Sequence, residues 1–374
     1  SKPSSMNLFT KALLPLLLWL LTASALAESI SAIQELGRHL FFDTQLSLKG
    51  NRSCALCHSP THGWSNTFTQ TINIHGEPDT LNTPSLLNIS QQTVFSLTNP
   101  SRTTVEMAIT TPMFSIDPLE MGLTPDLLLS RLKKSASYSE LFEQAYEDSD
   151  ITLERVVHAL KHYLTLIESR NTRFHRYLGG EEQAMTSEEQ EGFRLFNSVR
   201  LQCSRCHGGA LLNQPEATIS QYQNTGLYGI SRQGEPPHYP ATEPGLRRHT
   251  SDHQDDGKFR VPSLINVANT GPWAHDGSVQ SLASVIENYA RGGRKTTYGP
   301  NQGDGFHHPN KSFLINGFSL TRSEKAALIA FLHSLSVEDD WTHYPFNSPF
   351  CVSNDKQTNT SPDGACSPTQ YTQE

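Results

Sequence analysis

Cys54-Ala55-Leu56-Cys57-His58 and Cys203-Ser204-Arg205-Cys206-His207 are the two stretches whose reading decides the fold. Cysteines three apart can each form a thioether to one of the two vinyl groups of a porphyrin, and a histidine directly after the second reaches the iron from the proximal side. Each pentad therefore predicts one covalently held haem c, two for the chain. Paired Cys-x-x-Cys knuckles also build structural zinc sites, but those pair about 15 to 20 residues apart. Here the pentads lie in opposite halves of 374 residues, which favours haem.

Outward from each pentad the sequence repeats itself. Leu36-Gly37-Arg38-His39-Leu40-Phe41-Phe42 precedes the first and Gly192-Phe193-Arg194-Leu195-Phe196 the second, each an apolar helical approach. Thr83-Pro84-Ser85-Leu86-Leu87-Asn88 and Val261-Pro262-Ser263-Leu264-Ile265-Asn266 follow them, as an internal duplication would leave them. Leu153, Val156, Val157, Leu160, Leu164 and Ile167 recur at helical spacing, and Gly179-Gly180 ends that pattern. Thr186-x-x-Glu189 and Thr321-x-x-Glu324 read as capping boxes, the latter opening a helix with Leu328, Phe331, Leu332 and Leu335 on one face. Residues 213–256 hold no sustained period and read as loops. The expectation is a mainly α fold with long loops and few short strands. Two cytochrome c-like haem domains, 28–180 and 181–345, precede a polar tail, 346–374.

The first residues read as a targeting segment. Met6 serves as a start with Ser1–Ser5 before it, Lys11 is the positive region, and Ala12–Leu21 is an apolar run interrupted only by Pro15. Ala25-Leu26-Ala27 fits a cleavage site, so 1–27 is expected to be a signal peptide. The apolar run falls short of the ~18 to 20 residues a span needs, so no stable membrane span is expected after processing. Export suits covalent haem attachment, which takes place outside the cytoplasm, and the periplasm is the expected compartment. Loss of Lys2 and Lys11 takes the formal net charge from −8 to −10, which argues against nucleic acid as a partner. Cys351 and Cys366, the cysteines outside the pentads, are expected to pair in a disulfide contributing about 3 kcal/mol.

From Leu36 to Leu335 the chain resembles the bacterial di-haem cytochrome c peroxidase and MauG superfamily. The resemblance is carried by the pentads, Asn82-Thr83-Pro84-Ser85-Leu86, Asp117-Pro118-Leu119-Glu120-Met121-Gly122, Phe259-Arg260-Val261-Pro262-Ser263-Leu264-Ile265-Asn266 and Gly271-Pro272-Trp273-Ala274-His275-Asp276-Gly277. Trp273 stands where relatives more often have Tyr. Ordinary peroxidases of this group ligate the second iron by His and Met, whereas MauG-like oxidases use His and Tyr. The methionines are Met6, Met107, Met113, Met121 and Met185, none in the region where that ligand should arise; Tyr289 stands there instead. A phenolate is a hard anionic donor that favours higher oxidation states of iron and suits the storage of oxidising equivalents.

The resemblance implies further roles. His58 and His207 are the proximal ligands, Tyr289 the second ligand of the second iron, and Glu120 the distal acid and base of the first site, since peroxide activation needs a proton taken and returned. A calcium ion between the domains would take the Asn82 side chain and the carbonyls of Thr270 and Pro272. His75 corresponds to a loop histidine that blocks the first iron in ordinary peroxidases, but Tyr ligation favours a surface role for it; His62 has less support. Leu97 occupies the place of the tryptophan that relays electrons between haems in relatives.

Leu97-Thr98-Asn99-Pro100-Ser101-Arg102-Thr103-Thr104-Val105-Glu106 narrows the resemblance to the MbnH-like group. That resemblance implies an enzyme that activates hydrogen peroxide to high-valent haem iron and oxidises a partner protein, tryptophan to kynurenine on a copper-binding protein, by long-range electron transfer. The alternatives are a peroxidase fed by a small cytochrome or cupredoxin, and a di-haem electron carrier without enzymatic activity.

Overall fold

The computed structural model describes residues 29–350. The expected signal segment 1–27 and the expected Cys351–Cys366 pair lie outside the described residues.

Helices supply most of the regular structure. α1 (Ala32–Phe42) leads to the short α2 (Cys54–Cys57) of the first pentad, and α3 (Val105–Phe114), α4 (Pro125–Lys133), α5 (Ala136–Tyr146), α6 (Leu153–Leu164) and α7 (Arg173–Leu178) follow. α8 (Ser187–Phe196) leads to the second pentad, succeeded by α9 (Arg247–Thr250), α10 (Leu282–Arg291) and α11 (Arg322–Ser334). Strands among the described residues form two antiparallel pairs, β1 (Tyr222–Gln223) with β2 (Phe259–Arg260) and β3 (Lys295–Thr296) with β4 (Gly303–Asp304). The fold is thus mainly helical, as the sequence led us to expect.

Local chemistry fixes the helix ends. Thr186 and Thr321 each accept from the backbone three residues on, while Glu189 and Glu324 reach back to the threonine N–H, so both capping boxes form. α6 ends at Leu164, before the last residue of its apolar stripe. Ile167 is still fully buried, because a tight turn brings its N–H to the Leu164 carbonyl.

The duplication reappears as packing. α1 crosses α6 at Gly37, where a Cβ would stand 2.1 Å from the Ala159 carbonyl oxygen; α8 crosses α11 at Gly192, where it would stand 1.9 Å from that of Ala327. Both crossings bring backbone against backbone, which a side chain would prevent. Ser85 Oγ donates to the Gly63 carbonyl and Ser263 Oγ to that of Leu211, at 2.5 and 2.8 Å. Asn88 and Asn266 both take left-handed backbone, and their N–H groups bond Ile167 and Leu335 at 2.8 Å each. Each Pro-Ser-Leu segment therefore ties the loop after its pentad to the end of the last long helix of its half.

One apolar core runs from Leu36 to Trp341, with a smaller cluster around Tyr228, Tyr239 and Phe259. The last described residues return over the first half. Trp341 packs edge-on to the fully buried Trp64 at 5.6 Å, the Tyr163 hydroxyl donates to Pro345, and Arg38 bonds Asn347. Among the described residues no helix is long and apolar enough to cross a membrane.

Candidate haem sites

Both pentad histidines are held the same way. His58 Nδ1 bonds the Trp64 carbonyl at 3.2 Å and His207 Nδ1 bonds that of Leu212 at 2.9 Å. Trp64 and Leu212 have positive φ, 62° and 52°, which turns those carbonyls back onto the imidazoles. A donor role at Nδ1 leaves the lone pair on Nε2, the tautomer a metal requires. Burial pushes His58 down to about 4 and lowers His207 as well, so both rings stay neutral. The four cysteines are unpaired, and burial raises their thiols, Cys54 to about 12 and Cys57 to about 11.

Beside His207 lies a cavity of about 380 Å³ lined by Cys203, Cys206, His207, Tyr289 and a largely apolar wall that includes Leu328 and Leu332. Tyr289 projects into it from α10, itself started by the Ser281 cap. No hydrogen bond to its hydroxyl occurs among the described residues, and burial keeps the phenol protonated, with Cys206 and Cys203 adding to the rise. No methionine lines this cavity. Arg260 also lines it, 6% exposed, with a buried Nε that has no partner. An apolar slot bounded by two thiols, a metal-ready imidazole, a phenol and a buried arginine whose Nε has no partner fits a propionate-bearing haem.

Glu120 faces the first pentad. Burial pushes its carboxyl up to about 7, Asp79 adds to the rise, and Arg102 and Arg52 oppose it. The Cys54 and Cys57 thiols feel its charge in turn. A carboxyl near neutrality can both take and give a proton at physiological pH. Arg52 and Arg102 were not singled out from sequence. They lie 68 and 18 residues from Glu120, and only folding brings their charges to it.

The other sequence candidates separate clearly. Asn82, Thr270 and Pro272 line the same cavity, and Asn82 Nδ2 donates to the Phe68 and Thr69 carbonyls, leaving its Oδ1 uncommitted. His75 and His62 are exposed. Leu97 lies at the junction of the halves, its carbonyl accepting from Arg260 N–H at 2.9 Å. Beside it stands Tyr222, whose hydroxyl donates to Ser96 at 3.1 Å; no motif marked it. Trp273 lines the cavity with its indole N–H on the Val267 carbonyl, whereas Trp64 lies in the core.

Comparison with known proteins agrees with this geometry. The pattern of the di-haem cytochrome c peroxidase family matches residues 31–183. The methylamine utilization protein MauG of Methylorubrum extorquens is 30% identical over 304 residues, 81% of this chain and 78% of that protein. This chain belongs to the MauG and di-haem cytochrome c peroxidase family. It is accordingly a peroxide-utilising oxidoreductase of a di-haem class. The cytochrome c551 peroxidase of Nitrosomonas europaea is 28% identical over 259 residues, 69% of this chain and 72% of that one. Among solved structures, a MauG-like protein associated with microbial copper homeostasis superposes with a TM-score of 0.78 at 36% identity, covering 86% of this chain and 93% of that one.

Proposed function

We propose that this chain is an exported, periplasmic di-haem oxidase that uses hydrogen peroxide to oxidise a partner protein, converting tryptophan to kynurenine on a copper-binding protein. The observation that carries the reading is Tyr289, whose hydroxyl makes no hydrogen bond among the described residues, lining the His207 cavity where no methionine lies. The likeness to a MauG-like protein associated with copper homeostasis supports the choice of partner.

Cys54, Cys57 and His58 would hold one haem in a first domain, 28–180, and Cys203, Cys206, His207 and Tyr289 the other in a second, 181–345. The bound haems would supply the redox chemistry with peroxide. Glu120 would take a proton from bound peroxide and return it to the departing oxygen, a cycle its near-neutral carboxyl suits. Arg52 and Arg102 hold the carboxylate form within reach by their charge. Arg260 would pair with a haem carboxylate, and Tyr289 would give its proton up to become a ligand. Asn82 Oδ1, with the Thr270 and Pro272 carbonyls, would hold a calcium ion.

The test adds peroxide to the ferric enzyme without prior reduction, then a protein encoded beside it, and follows tryptophan mass by mass spectrometry. A partner tryptophan with one oxygen gained and one carbon lost, as in kynurenine, is the expected result. Rapid consumption of a reduced cytochrome with no such modification would make the enzyme an ordinary peroxidase.

A further inference from the structure

α6 carries two histidines one turn apart, His158 and His162, outside both haem sites. Their Nε2 atoms face each other at 3.1 Å, with the rings 4.4 Å apart and half-buried. The tautomer of His158 follows from its neighbours. Tyr146 Oη lies 3.0 Å from the Arg155 carbonyl, which can only accept, so the hydroxyl proton goes there. Tyr146 Oη must then accept from His158 Nδ1–H, 2.9 Å away, which leaves the lone pair of His158 on Nε2. His162 completes the chain by donating its Nε2–H to that lone pair.

We propose that His158 and His162 form a bidentate imidazole site for a divalent first-row transition metal ion, with Tyr146 as its orienting neighbour. Two nitrogens 3.1 Å apart, each bonded at about 2.0–2.1 Å, subtend roughly 100° at a metal, close to both tetrahedral and square-planar demands. Binding asks little of the chain: His162 moves its proton from Nε2 to Nδ1, and both Nε2 lone pairs meet the ion. The Tyr146 hydrogen bond at the far side of His158 is the kind that fixes the tautomer of a ligating histidine. Neighbouring cations do not oppose the ion at full strength. Lys161 is paired with Glu106, and Arg155 with Asp148, its guanidinium lying over the Tyr146 ring. Imidazole pairs suit Cu²⁺ and Zn²⁺, and copper is held the more tightly of the two. Water would fill the remaining positions on this outward face of α6.

The experiment uses the intact holoenzyme, freed of loosely bound metal, titrated with Zn²⁺ by calorimetry. The expected result is one ion per chain with Kd below about 100 µM. His158→Gln and His162→Gln should each weaken it at least ~30-fold, Tyr146→Phe about tenfold, and His333→Gln on exposed α11 surface not at all. Independently of any variant, Cu²⁺ added to the wild-type protein should give a paramagnetic resonance spectrum with coupling to two imidazole nitrogens. No Zn²⁺ binding tighter than about 1 mM, or binding that survives loss of both histidines, would overturn the proposal and leave the pair as a hydrogen-bonded staple.

Discussion

Gly192 presses against the backbone of Ala327 so closely that a Cβ there would stand 1.9 Å from the carbonyl oxygen. The obstacle is backbone, not the end of a flexible side chain, so α8 and α11 would have to separate. Gly192→Ala is therefore expected to destabilise by about 3 kcal/mol despite alanine's better helix propensity. Thermal unfolding of the holoprotein followed by circular dichroism measures this, and Gly37→Ala at the matching crossing should behave alike.

Glu120→Gln keeps the size of the side chain and removes its proton traffic. Stopped-flow reaction with peroxide should slow by ~10² or more, while the resting haem spectra change little. With the native carboxyl raised to about 7, the base form grows as pH rises through 7, and the wild-type rate should climb with it. The variant's rate should be flat there. Stability moves oppositely. Because the native carboxyl keeps its proton above the unfolded value near 4.5, the wild type loses stability relative to Glu120→Gln as pH rises from about 4.5 to 7.

Tyr289→His should leave both haems attached, since attachment runs through the pentads. Oxidation of a partner protein is expected to fall below detection, and the ferric paramagnetic resonance signal of the second haem should shift to that of a bis-imidazole centre. An unchanged spectrum would show that Tyr289 does not reach the iron.

Arg260 brings a buried positive charge into the second cavity with its Nε unpaired. Arg260→Gln removes a charge that favours the reduced, less positive iron, so the potential of that haem should drop by roughly 60 mV, a tenfold shift in a one-electron equilibrium. Spectroelectrochemical titration separates the two haems and reads it.

Much of this architecture was legible in the residues. The pentads declared their cofactors, and the two Pro-Ser-Leu segments declared a duplication that Gly37 and Gly192 repeat in the packing. Thr186 and Thr321 marked helix starts because capping is local chemistry. The surroundings of Glu120 were not legible. Arg52, Asp79 and Arg102 reach it from separate loops, and no spacing rule links such positions. Tyr222 stayed hidden likewise, a single tyrosine in a two-residue strand whose meaning comes from Ser96, far back in the chain. The carbonyls of Trp64 and Leu212 were invisible for another reason, being backbone groups aimed by left-handed φ at residues other than glycine.

The return of residues 341–347 over the first half bears on how the enzyme can move. Separating the halves by a hinge would draw Trp341 off Trp64 and strip Arg38 and Tyr163 of their bonds to residues 345–347. Withdrawing one buried indole alone costs about 3–5 kcal/mol, which leaves the separated arrangement at roughly one molecule in 10² to 10⁴. These contacts act as a latch that keeps the closed arrangement dominant.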